Sequence, residues 1–341
     1  MKPAILITGG AGYIGSHTAY LLAQKGYQTI LLDSLQHGQS FEHDWATCIQ
    51  ADFADESILK YIFKKYNITA VMHFAAFIEV GESVKNPLRF YENNVIKTIK
   101  LLDIMLQYDI KKFIFSSSCA IYGKPQFLPL TEDHPKNPIS PYGKNKLIVE
   151  MALEDFHHAY GLQYVSLRYF NAAGAMPQYE LGEYHDPETH LIPLILRAAM
   201  DKKPFYVFGT DYQTQDGSCV RDYIHVWDLA HAHWLALDYL KRDNLSNCFN
   251  LGTGKGFSVK QIIKATKVNC GLKIDILHQN RRLGDPPILI AAPKRAQNIL
   301  GWLPKYSSIE QIITSAYEFE LLKQKKCTKN INQNFQKLDT F

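Results

Sequence analysis

Short, unbroken apolar runs alternate with stretches of helical periodicity through the first half of the chain. Ala4–Ile7, Thr29–Leu32, Ala70–Phe74, Phe113–Phe115 and Tyr164–Leu167 have the length and continuity of strands buried on both faces. A further short strand is expected near Thr47–Ala51. Residues 55–66 set Ile58, Leu59, Ile62 and Phe63 on one helical face, with Asp55 as N-cap. One long helix is predicted after Pro87, with Leu101, Leu102 and Met105 at helical spacing, and another after Pro141. This β–α repetition predicts an α/β fold built on a Rossmann-type, doubly wound parallel sheet. Beyond about residue 172 the rhythm gives way to shorter segments with more proline and aromatic residues. The expected division is therefore a nucleotide-binding domain over 1–172 and a smaller α/β substrate domain over 173–328, partly interleaved with the first. Residues 329–341, rich in Lys, Asn and Gln, read as a flexible tail.

Ligands of such sheets bind at the carboxyl ends of the strands. The residues just after each apolar run are therefore the candidates: Gly9–Gly15, Asp33, Asp52, Phe74, Ala75 and Ala76, Ser116–Ser118 and Tyr169–Asn171. The first of these is the most specific. Thr8-Gly-Gly-Ala-Gly-Tyr-Ile-Gly15 follows a buried strand and opens a helix, so backbone N–H groups and the helix dipole converge on one spot suited to a pyrophosphate. Gly9 makes the tight turn, Gly12 permits close approach of the ligand and Gly15 lets helix pack on strand. Asp33 ends the second strand where an acid accepts the ribose hydroxyls of NAD and disfavours the extra phosphate of NADP.

Composition narrows the class without fixing the function. The chain has 341 residues, 46% hydrophobic and 21% charged, with a formal charge of +4, which is too small and dispersed to argue for nucleic acid. Six scattered cysteines with no Cys-x-x-Cys suggest reduced thiols in a cytoplasmic protein. No apolar stretch reaches the ~18 residues of a membrane span, and the amino-terminal run is one strand long, unlike a signal peptide. Thirteen histidines invite a metal reading, but no ligand-spaced cluster is evident and no metal is expected. His157-His158 and His231-x-His233 fall in helical stretches as surface or packing residues. Gly252–Gly256 has too short a glycine spacing for a phosphate loop and reads as a turn.

Tyr142 and Lys146 lie four residues apart on the helix opened by Ser140-Pro141, so phenol and ammonium share a face. Tyr61/Lys65 and Tyr108/Lys112 repeat that spacing, and only the position of Tyr142 beyond the Ser116–Ser118 strand end distinguishes it. Bringing a phenol from its ordinary pKa of ~10 toward neutrality takes ~4 kcal/mol, expected from the ammonium and a positive nicotinamide ring. Such a phenolate can take a proton from a carbinol while the nicotinamide takes the hydride, with Ser118 holding the same oxygen.

Together the glycine turn, the serine strand end and Tyr-x-x-x-Lys resemble the extended short-chain dehydrogenase/reductase superfamily. His73-Phe-Ala-Ala76, Val80-Gly-Glu-Ser83, Asn93-Asn94-Val95, Ser118-Cys-Ala-Ile-Tyr-Gly123 and Ser140-Pro-Tyr-Gly-Lys144 resemble the UDP-glucose 4-epimerases within it. So do Leu167-Arg-Tyr-Phe-Asn171, Asp216-Gly217, Val220–Val226, Asn250-Leu-Gly252 and Arg281-Arg-Leu-Gly-Asp-Pro286. The likeness spans roughly residues 3–320. It implies that Tyr142 takes the C4 hydroxyl proton of UDP-glucose or UDP-galactose, that tightly bound NAD takes and returns the C4 hydride, and that the 4-keto sugar turns over in between. It implies that Asn171, Arg221 and Arg282 hold the diphosphate, Phe208 packs on uracil, Asp285 holds its ribose and Tyr169 orients the nicotinamide. It adds Tyr13, Ile14, Phe53 and Asn94 on the cofactor side and His190, Leu191, Tyr223 and Leu289 on the substrate side. It also implies a homodimer paired through the helices after Pro87 and Pro141.

Three positions depart from the family pattern. Ile78 stands where some members carry a lysine near the nicotinamide ribose, and Ala120 where others carry a threonine. Leu289 stands where members restricted to plain hexoses can carry a tyrosine that closes the space beside the sugar C2, and the smaller leucine is expected to admit an N-acetyl group. A 4-epimerase of UDP-N-acetylglucosamine, UDP-glucuronate or a UDP-pentose shares the whole mechanism and stays open. Dehydratase or decarboxylase chemistry needs an acid beside Ser118, where this chain has Cys119 and Ala120. A non-catalytic NAD-binding sensor is the remaining alternative, set against the retained Tyr142, Lys146 and Ser118.

Overall fold

The computed structural model describes residues 2–36, 42–185, 187–243, 245–282 and 285–338, from 327 onward through the backbone alone. Strand and helix alternate from the start: β1 (Pro3–Thr8), α1 (Tyr13–Gln24), β2 (Gln28–Asp33), β3 (Thr47–Gln50), α2 (Glu56–Lys65) and β4 (Asn67–His73). The helix expected after Pro87 is preceded by α3 (Val80–Lys85) and comes in sections. A π-helical turn at Glu92–Ile96 joins α4 (Pro87–Tyr91) to α5 (Lys97–Gln107). Then come β5 (Lys112–Ser118), α6 (Pro141–Tyr160) and β6 (Gln163–Tyr169).

The second half contributes β7 (Asn171–Ala173), α7 (Leu191–Met200), β8 (Phe205–Phe208), β9 (Val220–His225), α8 (Val226–Arg242) and β10 (Asn247–Leu251). It continues with β11 (Gly256–Ser258), α9 (Val259–Cys270), β12 (Ile276–Gln279), β13 (Ile288–Leu289) and α10 (Ile309–Leu338). The last helix runs through 329–338, where composition alone pointed to a tail; no Gly or Pro interrupts it.

The main sheet is seven-stranded and parallel in the order β10-β6-β5-β4-β1-β2-β3. Its direction of winding reverses between β1 and β4, which opens a crevice at their carboxyl ends. Both faces are covered. On one, Ile5, Ile7 and Leu31 pack with Leu22 of α1 and Leu229 and Leu237 of α8; on the other, Leu6, Ile30 and Leu32 pack with Leu59 of α2, Leu101 of α5 and Val149 of α6. This two-sided burial is why these strands read as continuous apolar runs, each such side chain contributing ~1.5–3 kcal/mol. Local signals set the helix ends. Asp55 accepts hydrogen bonds from the Ser57 and Ile58 amides, and Ser140 from the Gly143 amide.

A four-stranded sheet lies beyond, with β9 paired to β7, β11 and β13. Its register places Asn171 beside Tyr223 and Leu289 beside Arg221. A second core forms where Ile192 and Ile195 of α7, Ile262 of α9 and Ile312 of α10 meet.

Candidate active site

A cavity of about 460 Å³ follows the carboxyl ends of the parallel strands. At its floor the chain leaves β1 through Gly9, whose φ of 71° is left-handed. Phe74, Ala75 and Ala76 line the cavity just past the end of β4, and the Ala75 amide donates to the Thr8 carbonyl at 3.2 Å. That bond draws the two strand ends so close that a Cβ on Gly9 would stand 2.6 Å from the Ala75 nitrogen. A Cβ on Gly15 would stand 2.2 Å from the Gly9 carbonyl oxygen, so helix and turn can meet only without a side chain there. Gly12 caps α1 with no side-chain hydrogen bond, and no acid occupies the first turn. The helix end thus presents uncompensated positive potential to the cavity. Asp33 is held at the rim by the amides of Ala11 (3.0 Å) and Leu35 (2.9 Å). A cradle that a Cβ would fill, a helix end without a counter-charge and an acid at the end of the neighbouring strand fit the pyrophosphate and ribose of a dinucleotide.

At the end of β5 the Lys146 ammonium donates to the Ser116 carbonyl at 2.6 Å, and the Ser116 hydroxyl hydrogen-bonds Tyr169. The Tyr142 amide donates to Ser83 at 3.2 Å, tying the start of α6 to α3. Ser118 accepts from the Ala120 amide and also hydrogen-bonds the Tyr142 phenol. Burial pushes the Tyr142 phenol above its ordinary range, and the Ser118 hydrogen bond pulls against it. The expected lowering comes from the ammonium together with a positive nicotinamide ring, and the protein alone carries only the first. Lys146 does not lower the phenol in the protein alone, because burial has brought its own pKa down to about 7, with Glu150 opposing. Tyr169 is pushed up to about 12 by burial. The Cys119 thiol, also raised to about 12 by burial, is an inert neighbour.

Of the residues predicted on the cofactor side, all but Asn94 line the cavity. Asn94 stands one layer behind, its amide bridging the N–H and C=O of Phe77 at 2.9 Å each, and Asn93 takes the place on the wall. Asp52 lies at the edge, paired with Lys97. On the substrate side Ser118, Tyr142, Asn171, His190, Arg221, Asp285 and Leu289 line the cavity. Asn171 donates to the Asp222 carbonyl at 3.0 Å, and Arg221 reaches Asp285 at 3.5 Å and the Pro286 carbonyl at 2.9 Å. Four residues fall outside the lining. Leu191 and Tyr223 pack in the second core, and the Arg282 guanidinium sits 4.2 Å over the Phe208 ring. Leu283 and Gly284, part of the turn expected after Arg282, lie outside the described residues.

The cavity also takes residues that sequence reasoning missed. Glu79 faces it from the loop before α3, next to the Ile78 already singled out, and Glu183, Tyr184 and His185 from the segment before α7. That segment changes the histidine reading. Among the described residues, Glu183, His185, Glu188 and His190 bring one donor atom each to within 4.8 Å of the others. Counting only histidine and cysteine spacings hid it, because glutamates supply half the set. Burial opposes protonation of His190, but the adjacent carboxylates of Glu183 and Glu188 prevail and raise its pKa to about 10.

Comparison with known proteins agrees with this geometry. The NAD dependent epimerase/dehydratase family matches residues 5–252. The chain is 51% identical to the UDP-glucose 4-epimerase of Halalkalibacterium halodurans, over 93% of this chain and 95% of that one. The crystal structure of the Brucella ovis UDP-glucose 4-epimerase in complex with NAD superposes with a TM-score of 0.90 at 47% identity, covering 92% of this chain and 97% of that one. The UDP-Glc/GlcNAc 4-epimerase of Campylobacter jejuni superposes with a TM-score of 0.82 at 41% identity, covering 94% and 99%.

Proposed function

The chain belongs to the NAD dependent epimerase/dehydratase family, and from that premise we propose that it interconverts UDP-glucose and UDP-galactose by inverting C4. The observation that carries this reading is one cavity that joins the glycine cradle and Asp33 to Tyr142, Lys146 and Ser118. NAD held there supplies the acceptor that takes the C4 hydride and gives it back. The N-terminus of α1 holds the pyrophosphate through Gly12, Tyr13 and Ile14, and Asp33 accepts from the adenosine ribose. Tyr142 takes the proton from the C4 hydroxyl and later returns one, while Ser118 keeps the reacting oxygen in line. The protonated form of Lys146 favours the Tyr142 phenolate and donates to the Ser116 carbonyl. Arg221, Asn171 and Asp285 hold the UDP moiety at the mouth, so the sugar can turn between the two half-reactions while the nucleotide stays fixed.

The experiment that tests this is turnover of UDP-galactose by pure protein with no NAD added. UDP-glucose formation is expected, because a cycle that regenerates its cofactor has no need to release it. No product after NAD is supplied would overturn the substrate assignment and direct the assay to UDP-N-acetylglucosamine, which the Leu289 position favours next.

Five described cysteines are unpaired thiols, and no described helix is long and apolar enough to cross a membrane. The free thiols support a cytoplasmic setting. Val84, Leu88, Ile96 and Met151 are exposed apolar residues on α3, α4, the π turn and α6, which supports a homodimer through that face. Its mass in solution by light scattering checks this.

A further inference from the structure

We propose that Glu183, His185, Glu188 and His190 form a binding site for a divalent first-row metal ion of the zinc class, built into the wall of the active-site cavity. Two imidazole nitrogens and two carboxylate oxygens make a borderline donor set, suited to zinc rather than to the all-oxygen shells of calcium or magnesium. Donors ~2.0–2.2 Å from one tetrahedral zinc stand about 3.4 Å from each other. Here His190 Nδ1 lies 3.4 Å from Glu188 Oε1, and His185 Nδ1 lies 3.5 Å from Glu183 Oε1. All the donor atoms fall within 4.8 Å of one another. His190 Nδ1 is closer still to Glu183 Oε1, at 2.6 Å.

His190 Nδ1 itself is shielded from water, although 41% of the side chain is exposed, and it faces the Glu183 carboxylate. The ring nitrogen therefore points into the cluster, at the two carboxylates that would share the ion with it. Both carboxylates are withdrawn from water, with 6% of the Glu183 side chain and 3% of the Glu188 side chain exposed. Their orientation is fixed from behind. Glu188 Oε1 accepts the amides of Thr189 and His190, and Arg197 Nη2 stands 3.2 Å from Glu188 Oε2. Outer contacts of this kind orient metal ligands. Since His190 also caps α7, the ion would pin the segment between Glu183 and that helix against the cavity.

The test is zinc binding to the full-length protein after chelator treatment and dialysis, read by equilibrium dialysis with elemental analysis and by thermal shift with zinc alone. One ion per chain and a rise in Tm are expected. His185→Gln and His190→Gln, made separately, should each weaken binding by at least the ~10–100-fold that loss of an outer-shell partner costs, and should abolish the Tm rise. Two variants guard against one failing to fold. No zinc bound by the parent chain, or equal binding by both folded variants, overturns the proposal.

Discussion

Lys146 donates a 2.6 Å hydrogen bond to the carbonyl of Ser116, so the ammonium paired with Tyr142 is anchored to the strand that carries Ser118. The side chain is buried, and its pKa falls to about 7 by desolvation, with Glu150 pulling the other way. The site therefore holds its lysine near the point of losing its charge. That poise has a cost in stability, and its sign is fixed.

Between about pH 7 and its ordinary 10.5, Lys146 binds more protons in the unfolded chain than in the folded one, so stability rises with pH across that window. Below pH 7 the cost of burying the charge is fully present. Lys146→Met should then be more stable than the parent chain at pH 7, with the gap closing toward pH 10, while turnover of UDP-galactose falls by at least ~10²-fold. Urea midpoints at several pH values, beside a turnover assay, check both halves. A variant less stable than its parent at pH 7 would show that the hydrogen bond to Ser116 outweighs desolvation.

The glycine turn separates packing from ligand approach. A Cβ on Gly15 would meet the Gly9 carbonyl oxygen at 2.2 Å, and backbone on both sides leaves nothing to yield. Gly15→Ala should lose about 1–3 kcal/mol of stability and its bound NAD together. On Gly12 the nearest atom is that same oxygen at 3.2 Å, a contact relieved by a small shift. Gly12→Ala should keep near-parental stability and still lose NAD, because the methyl occupies the ligand's approach. Absorbance of co-purified cofactor and a thermal melt distinguish the two; NAD retained at parental levels in Gly12→Ala would argue against this cradle.

These relationships differ in how far the chain announces them. The parallel sheet was legible because burial on both faces removes polar residues from the strands, and the cradle because only glycine tolerates the approach at Gly9 and Gly15. Tyr142 and Lys146 were legible because four residues make one turn of α6. Asn93 and Asn94 were not distinguishable. Both lie in the π turn at Glu92–Ile96, and only the fold puts Asn93 on the cavity wall and turns Asn94 to the Phe77 backbone. The Glu183–His190 segment has no helix or strand period to announce which side chains converge. Nor does any local pattern join Glu150 to Arg168, which meet only because α6 folds back over β6.

Arg168 and Glu150 are 1% and 6% exposed, with Nε 2.9 Å from Oε1 and Nη2 2.6 Å from Oε2. Ser117 donates to the same carboxylate, and Arg168 also reaches the Tyr122 hydroxyl and the Glu132 carbonyl, so the network sits under the strand ends that carry the site. Glu150→Gln leaves the guanidinium buried without its counter-charge and should cost about 3–5 kcal/mol. The double variant Glu150→Leu with Arg168→Met removes both charges and should cost less than that single change. Urea unfolding of the parent chain, the single variant and the double variant measures it, and a double variant less stable than Glu150→Gln would refute the account.

Acid should unfold the chain through histidines that are buried neutral. Burial lowers the pKa of His73 and His225 to about 3 and of His233 to about 4. His73 is held between the hydroxyls of Thr8 (2.6 Å) and Thr98 (2.9 Å), and His233 lies against the Phe74 ring at the cavity floor. In the unfolded chain each regains its ordinary value of 6.5. As pH falls below that value the unfolded state therefore takes up protons that the folded state refuses, and stability declines until the folded pKa values are reached. His233→Phe keeps a ring of similar size beside Phe74 and removes one of these groups. It should flatten the dependence of unfolding free energy on pH between 6.5 and about 4 by the equivalent of one proton, leaving the slope above pH 7 unchanged. Urea midpoints at half-unit steps of pH give the slope directly, and an unchanged acid slope in the variant would mean that His233 is already protonated in the folded chain.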